Sequence, residues 1–316
     1  MKRIARLARS MLFVVVASAG IGLGPLRASG GGDLLVSSRF SNNVLRFDAR
    51  TGAFVGVFAS GSGLLNPNGI AYGPDGNLYA VLGDVSKVLR FEGQSGAFLD
   101  EFITPATAGG LASGRAIAFG PDGNLYVCSG GTNQVLAYSG TSGKFLRVAA
   151  EGQGMSGPVG LTFGPDGTLY VGCALSNRAY AFSPTGTFLR SYGCGTARNH
   201  VGVLVDGAGR LLVAQSVTNT VVAYDPATGD CLGDVAQGNG LNIPIHMILD
   251  PEGHLLVGSF GNDQVLKFDP ANGQFLGVFV AMNAGGLDGT HNFAFMPDPP
   301  TPVVPRSWGS VKAGYR

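Results

Sequence analysis

Charge is scarce in this chain. Only 13% of its 316 residues are Asp, Glu, Lys or Arg, while 45% are hydrophobic. A disordered polymer would show the reverse balance, so the composition describes a compact domain. Helix is scarce too: beyond the N-terminus no stretch repeats every 3.6 residues, and each of the 52 glycines would weaken a helix interior. Histidine and cysteine number four each and tryptophan one. No Cys-x-x-Cys pair, Gly-x-Ser-x-Gly elbow, phosphate loop or calcium loop occurs. These absences argue against dithiol redox chemistry, a serine-hydrolase elbow and a nucleotide loop.

What is present is repetition. Gly73-Pro74-Asp75-Gly76-Asn77-Leu78-Tyr79-Ala80 returns as Gly120-Pro121-Asp122-Gly123-Asn124-Leu125-Tyr126-Val127 and as Gly164-Pro165-Asp166-Gly167-Thr168-Leu169-Tyr170-Val171. Weaker copies begin at Asp206 and Asp250, and a truncated one at Gly32. The aligned leucines Leu34, Leu78, Leu125, Leu169, Leu211 and Leu255 are spaced by 44, 47, 44, 42 and 44 residues. Short strands at a period of roughly 40–50 residues are the sequence mark of a β-propeller.

Turn chemistry orders the strands within a unit. Pro-Asp-Gly pairs a fixed φ with a glycine tolerant of positive φ, which reverses the chain between strands a and b. Thr51-Gly52 and Asn272-Gly273 do the same between strands c and d. Each unit is therefore a four-stranded antiparallel meander. The first unit, from Asp33, lacks strand a, and His291-Asn292-Phe293-Ala294-Phe295-Met296 supplies one at the other end of the chain. The expectation is an all-β, six-bladed propeller over residues 29–298, closed by a C-terminal strand that completes the N-terminal blade.

The flanks differ from the repeats. Lys2, Arg3, Arg6 and Arg9 precede an apolar stretch from Met11 to Gly24, shorter than the ~20 residues a spanning helix needs. Residues 1–28 read as a signal peptide cut near Ala28 or Gly30, which implies export to the periplasm, the cell surface or the medium. That segment holds five of the 21 basic residues and no acid, leaving 16 basic against 20 acidic residues, a net charge of −4. Such a surface has no footprint for nucleic acid. Residues 299–316 form a proline-rich tail containing Trp308. In an exported protein a Cys128–Cys173 bridge is conceivable, since both cysteines end strand b of adjacent blades. The other reading is buried thiols, with Cys194 and Cys231 expected on opposite faces of the ring.

Candidate chemistry gathers where strand a begins, because those loops and the b–c loops crowd one mouth of the channel. Asn68, Arg115, Val159, His200, His246 and His291 stand there in successive units. Three imidazoles from three consecutive blades suggest one divalent ion, Zn²⁺ or similar, with a position open for water or substrate. Asp288 would add a carboxylate or act as general base, and Arg115 would hold a substrate carboxylate, with Asn68 beside it. Against convergence, His200 aligns with Pro67, His291 with Asn68 and His246 with Gly69, and a one-residue shift flips a strand side chain. Two polar series look structural instead: the Asp of each Pro-Asp-Gly, and Asn42, Ser86, Asn133, Asn177, Asn219 and Asp263. Both are expected to hydrogen-bond their own turns.

The units resemble NHL repeats, which join a Pro-x-Gly-hydrophobic entrance, here Pro67-Asn68-Gly69-Ile70, to a later Asp-Gly-x-hydrophobic-Tyr-Val core. The resemblance covers residues 33–298. It implies a propeller fold shared with metal-dependent lyases, among them peptide-amidating lyase and virginiamycin B lyase, with gluconolactonase-type hydrolases and with modules that only bind. The amidating-lyase pattern would put a metal on His200, His246 and His291. The gluconolactonase pattern wants an early acidic ligand, and Asp33 and Asp48 fall off the expected rim. The leading expectation is a monomeric, exported propeller that binds a small molecule or protein partner at the channel mouth. The alternative is a metal-dependent lyase or hydrolase.

Overall fold

In the computed structural model, residues 32–195 and 199–298 are described. The expected signal peptide (1–28) and proline-rich tail (299–316) lie outside the described residues. The remainder is a ring of six four-stranded antiparallel sheets. Strands are numbered in chain order. Blade 2 is β4 (Pro67–Tyr72), β5 (Leu78–Leu82), β6 (Val88–Phe91) and β7 (Phe98–Ile103). Blade 3 is β8 (Gly114–Phe119), β9 (Leu125–Ser129), β10 (Gln134–Tyr138) and β11 (Phe145–Ala150). Blade 4 is β12 (Pro158–Phe163), β13 (Leu169–Cys173), β14 (Arg178–Phe182) and β15 (Phe188–Tyr192). Blade 5 is β16 (His200–Val205), β17 (Leu211–Gln215), β18 (Thr220–Tyr224) and β19 (Cys231–Gln237). Blade 6 is β20 (Pro244–Leu249), β21 (Leu255–Ser259), β22 (Gln264–Phe268) and β23 (Phe275–Val280).

Blade 1 is built from both ends of the chain. Its sheet order is β24-β1-β2-β3, with β24 (Thr290–Phe295) inside β1 (Leu34–Ser38), β2 (Asn43–Phe47) and β3 (Phe54–Ser60). Leu34 pairs with Phe295 and Val36 with Phe293. The C-terminal strand thus closes the ring as expected and covers what would be an exposed inner edge.

The a–b turns behave as their sequence implies. Gly76, Gly123 and Gly167 have φ of 77°, 74° and 81°, and Asp75 Oδ1 accepts the Asn77 N–H at 3.1 Å. Tyr79 and Tyr126 follow on strand b and stack edge-on against Phe119 and Phe163 of the next blade, with ring centroids 5.0 and 4.9 Å apart. Each of these tyrosines also hydrogen-bonds an a–b turn aspartate, Asp75 or Asp122. One repeated motif therefore builds both the turn and the blade-to-blade contact.

The second polar series does something other than expected. Asn42, Asn133, Asn177, Asn219 and Asp263 sit in the left-handed region, φ 52–56°, where short polar side chains are tolerated. Their carboxamide or carboxylate oxygens do not close their own turns. They accept the N–H of Asn66 (2.9 Å), Gly157 (2.8 Å), Asn199 (2.9 Å), Ile243 (2.7 Å) and Gly289 (2.6 Å), each just ahead of the next blade's inner strand. Ser86 donates instead to the Leu111 carbonyl. Six latches thus tie every blade to its successor.

The cysteines also differ from expectation. Cys194 and Cys231 are disulfide-bonded, with Cα atoms 6.1 Å apart, while Cys128 and Cys173 are free and buried in one core cluster. Sequence order alone puts Cys194 and Cys231 at opposite faces. The connection after strand d, however, folds back over the next blade: Gly109 lies on the Phe145 ring and Gly285 on the Phe54 ring. Phe54, Phe98, Phe145, Phe188 and Phe275 all open strand d, and Cys231 takes that position in blade 5. The disulfide stands where the other blades place a partly exposed phenylalanine ring.

Candidate ligand site at the channel mouth

The inner strands β24, β4, β8, β12, β16 and β20 are each six residues long, and each touches the inner strand of the next blade. Their third positions are crowded. A Cβ added at Gly160 or Gly202 would stand 2.2 Å from the carbonyl oxygen of Val201 or Ile245 next door. Four blades accordingly keep Gly69, Ala116, Gly160 and Gly202 there. Blades 6 and 1 instead carry His246 and Asn292. Every inner strand also shifts register within its first three or four paired residues, as between Pro67 and Gly69 or between Pro244 and Met247. Such bulges re-aim side chains, so simple alternation does not decide which of them face the channel.

His291, second residue of β24, is buried. Its Nδ1 donates to the Asn68 carbonyl at 2.6 Å, which fixes the tautomer and leaves Nε2 as the lone-pair face. Burial drives its pKa down to about 3, a drop reinforced by the positive charge of Arg39 and Arg115 and opposed by the bond to Asn68. His246 is half-buried. Its Nδ1 accepts from Asn292 Nδ2 at 3.3 Å, so its Nε2 bears the proton, and burial lowers its pKa to about 4. Among the described residues neither Nε2 has a protein partner. Asn68 donates Nδ2–H to the Gly114 carbonyl at 2.9 Å, while its buried Oδ1 has no hydrogen bond.

Two arginines at this mouth lack, among the described residues, the carboxylate partner that other arginines have. Arg46, Arg90 and Arg210 hold Asp33, Asp100 and Asp206 at 2.5, 2.5 and 2.7 Å. Arg115 on β8 and Arg39 in the β1–β2 loop have no carboxylate within 4.0 Å among the described residues, and the buried Arg39 Nε lacks any hydrogen bond. Burial lowers the Arg115 pKa, the neighbouring Arg39 charge lowers it further, and Asp84 partly opposes both. Arg39 was not foreseen from the sequence. A signal existed: the residue after strand b is Arg39, Gly83, Gly130, Ala174, Ser216 or Phe260, and only Arg39 is charged.

His200 does not join this group. It opens β16 opposite Gln215, buried inside the blade, with Nε2 3.2 Å from the Tyr224 hydroxyl and 3.5 Å from Gln215 Nε2. The three imidazoles therefore do not fit one tetrahedral centre, and no chemical step follows through a metal held by them. Asp288 is exposed; its backbone exchanges hydrogen bonds with the Ser38 hydroxyl, beside the mouth. Among the described residues the one tight set of metal-type donors is Asp250, Glu252 and His254, in the a–b turn of blade 6. Lys267 Nζ already sits 2.7 Å from Asp250 and 3.2 Å from Glu252, which makes that set an ion-pair network.

No family model matches the sequence, and no curated protein matches it. Solved structures do match in fold. The chain superposes on a structure of a nidogen/laminin complex with TM-score 0.68 at 16% identity, over 84% of this chain and 99% of that one. A protein of unknown function from Bacteroides caccae gives 0.66 at 15%, over 85% and 100%. A catalytically inactive virginiamycin B lyase from Staphylococcus aureus, solved with quinupristin, gives 0.61 at 15%, over 86% and 94%. The molecule is a six-bladed β-propeller. At these identities the likeness fixes the fold alone, and a fold shared by a lyase and a nidogen/laminin complex leaves function to the site.

Proposed function

We propose that this protein is an exported, NHL-type binding propeller that takes a small-molecule ligand at the strand-entrance mouth of its channel, beside blades 6, 1, 2 and 3. One observation carries the reading. His246, His291, Asn68 and Arg115 come from four consecutive inner strands, and each leaves a polar group without a protein partner. Asn68 Oδ1 is a buried acceptor without a partner, which proteins rarely leave, and the partly exposed His246 and Arg115 stand where a ligand could meet them beside it. At the second position of their inner strands β24, β4 and β8 carry His291, Asn68 and Arg115, whereas β12, β16 and β20 carry Val159, Val201 and Ile245. Export is supported by the residue pattern of 1–28 and by the Cys194–Cys231 disulfide, since such bonds persist in oxidising compartments.

The binding reading stands ahead of a lyase or hydrolase because no nucleophile–base pair stands at the mouth among the described residues, and His200 is engaged elsewhere. Ring ¹⁵N spectra of the histidines test it. Small molecules of varied charge should include some that move His246 and His291 while leaving His254, in a turn away from the mouth, unchanged. If none does so, or if His254 moves equally, the mouth is not the binding site.

A further inference from the structure

Resting on that reading, we infer that the ligand is an aromatic carboxylic acid, its carboxylate clamped by Arg39 and Arg115 and its ring seated against Phe40 and Phe260. Two guanidinium groups face one mouth with no ion-paired carboxylate among the described residues, and each is close enough for its charge to act on His291. Like charges held together without a bridging anion repel, and a shared carboxylate would relieve that repulsion while satisfying the buried Arg39 Nε. The nearby acids do not already fill this role. Asp84 is held by Asn66 Nδ2, Asp263 accepts the Gly289 N–H at 2.6 Å, and Asp288 forms no ion pair with either arginine.

The aromatic part of the assignment comes from the adjoining wall. Phe40 is 51% exposed, the most exposed phenylalanine among the described residues, and lies 5.8 Å from Phe260. Phe260 in turn meets His291 edge-on at 6.2 Å, and the Arg39 guanidinium lies 5.4 Å from the Phe40 ring centre. A continuous surface therefore runs from exposed phenyl through imidazole to unpaired guanidinium. It matches a ligand with one flat apolar end and one planar anionic end. A divalent cation would meet two positive charges here, and inorganic phosphate would leave Phe40 uncovered.

Benzoate, benzamide and inorganic phosphate titrated into the full mature chain at pH 7 separate the possibilities, with His291 ring ¹⁵N shifts as the readout. Benzoate should bind at least tenfold more tightly than either of the others. Arg39→Gln and Arg115→Gln should each weaken benzoate tenfold or more, and Phe40→Ala, a solvent-facing change that leaves folding intact, should weaken benzoate but not phosphate. Benzamide binding as well as benzoate, with no dependence on either arginine, would overturn the acid assignment while leaving the mouth reading intact. Phosphate matching benzoate would overturn the aromatic assignment. If none of the three, nor any other small molecule, moves His246 or His291, both readings fall together.

Discussion

His291 donates its Nδ1 proton to the backbone carbonyl of Asn68, 2.6 Å away in the next blade. The bond crosses the seam beside the C-terminal strand, where blade 1 meets blade 2. The bond fixes the tautomer, while burial holds this imidazole, and that of His246, in the neutral form.

That neutrality should appear as pH-dependent stability. Unfolded, both histidines titrate near the ordinary value of about 6.5; folded, they lie at about 3 (His291) and about 4 (His246). Between those values the unfolded chain binds more protons, so the histidine contribution is complete above about pH 6.5 and declines as pH falls. Each can add a slope of up to about 1.4 kcal/mol per pH unit. Urea unfolding between pH 5 and 7, a range chosen to stay above most carboxylates, should show stability falling toward pH 5. In His291→Gln the slope should flatten; an unchanged slope would mean that His291 already titrates normally in the folded state.

Removing a positive neighbour should release His291 in part. Because Arg115 helps hold the imidazole neutral, Arg115→Gln is expected to raise the His291 pKa, read from ring ¹⁵N shifts against pH. Arg190→Gln, on the outer strand of blade 4, serves as the control and should leave it where it was. A fall, or an equal rise in the control, would remove Arg115 from the electrostatics of the mouth.

The latches predict a cost of their own. Asn219 holds φ at 55° and accepts the Ile243 N–H at 2.7 Å. Asn219→Ala loses that bond and places a residue without a short polar side chain in the left-handed region, together about 1–3 kcal/mol. Asn219→Gly loses only the bond and should cost less. Equal destabilisation of the two in chemical denaturation would show that backbone strain at this site is negligible.

Most of the fold was legible because one short motif carries it: Pro-Asp-Gly makes the turn and the following Tyr makes the blade contact. The orphan strand at Asp33 and its match at His291 even disclosed the closure. Relationships between blades were harder to see. Asn219 looks like a turn former because its turn is local in sequence, whereas its partner lies 24 residues ahead. Cys194 looked remote from Cys231 because the sequence does not show that the strand-connecting loop folds back. At the mouth, the bulge in every inner strand defeated counting by twos, so His200 could not be separated from His246 and His291 by register alone. Arg39 is hidden in the sequence because it follows strand b, whereas the histidines and Arg115 stand where strand a begins.

The disulfide gives the sharpest test of blade 5. It closes a loop with a sequence separation of 37, for which the chain-entropy model gives about 4 kcal/mol, within the roughly 2–5 kcal/mol typical of native bridges. Cys194→Ser should therefore lower unfolding stability by several kcal/mol, and the paired change at Cys231 should add little more, since one bond is lost only once. Cys128→Ala and Cys173→Ala should leave the bond in place. Thiol titration reads this independently. Burial raises the Cys128 thiol well above its ordinary range and Cys173 to about 12, so neither should react in the folded protein, and two thiols should appear on unfolding without reductant. Four thiols on unfolding would mean that no bridge exists. Two thiols that instead map to Cys194 and Cys231 would mean that the bridge joins blades 3 and 4, contrary to the geometry found here.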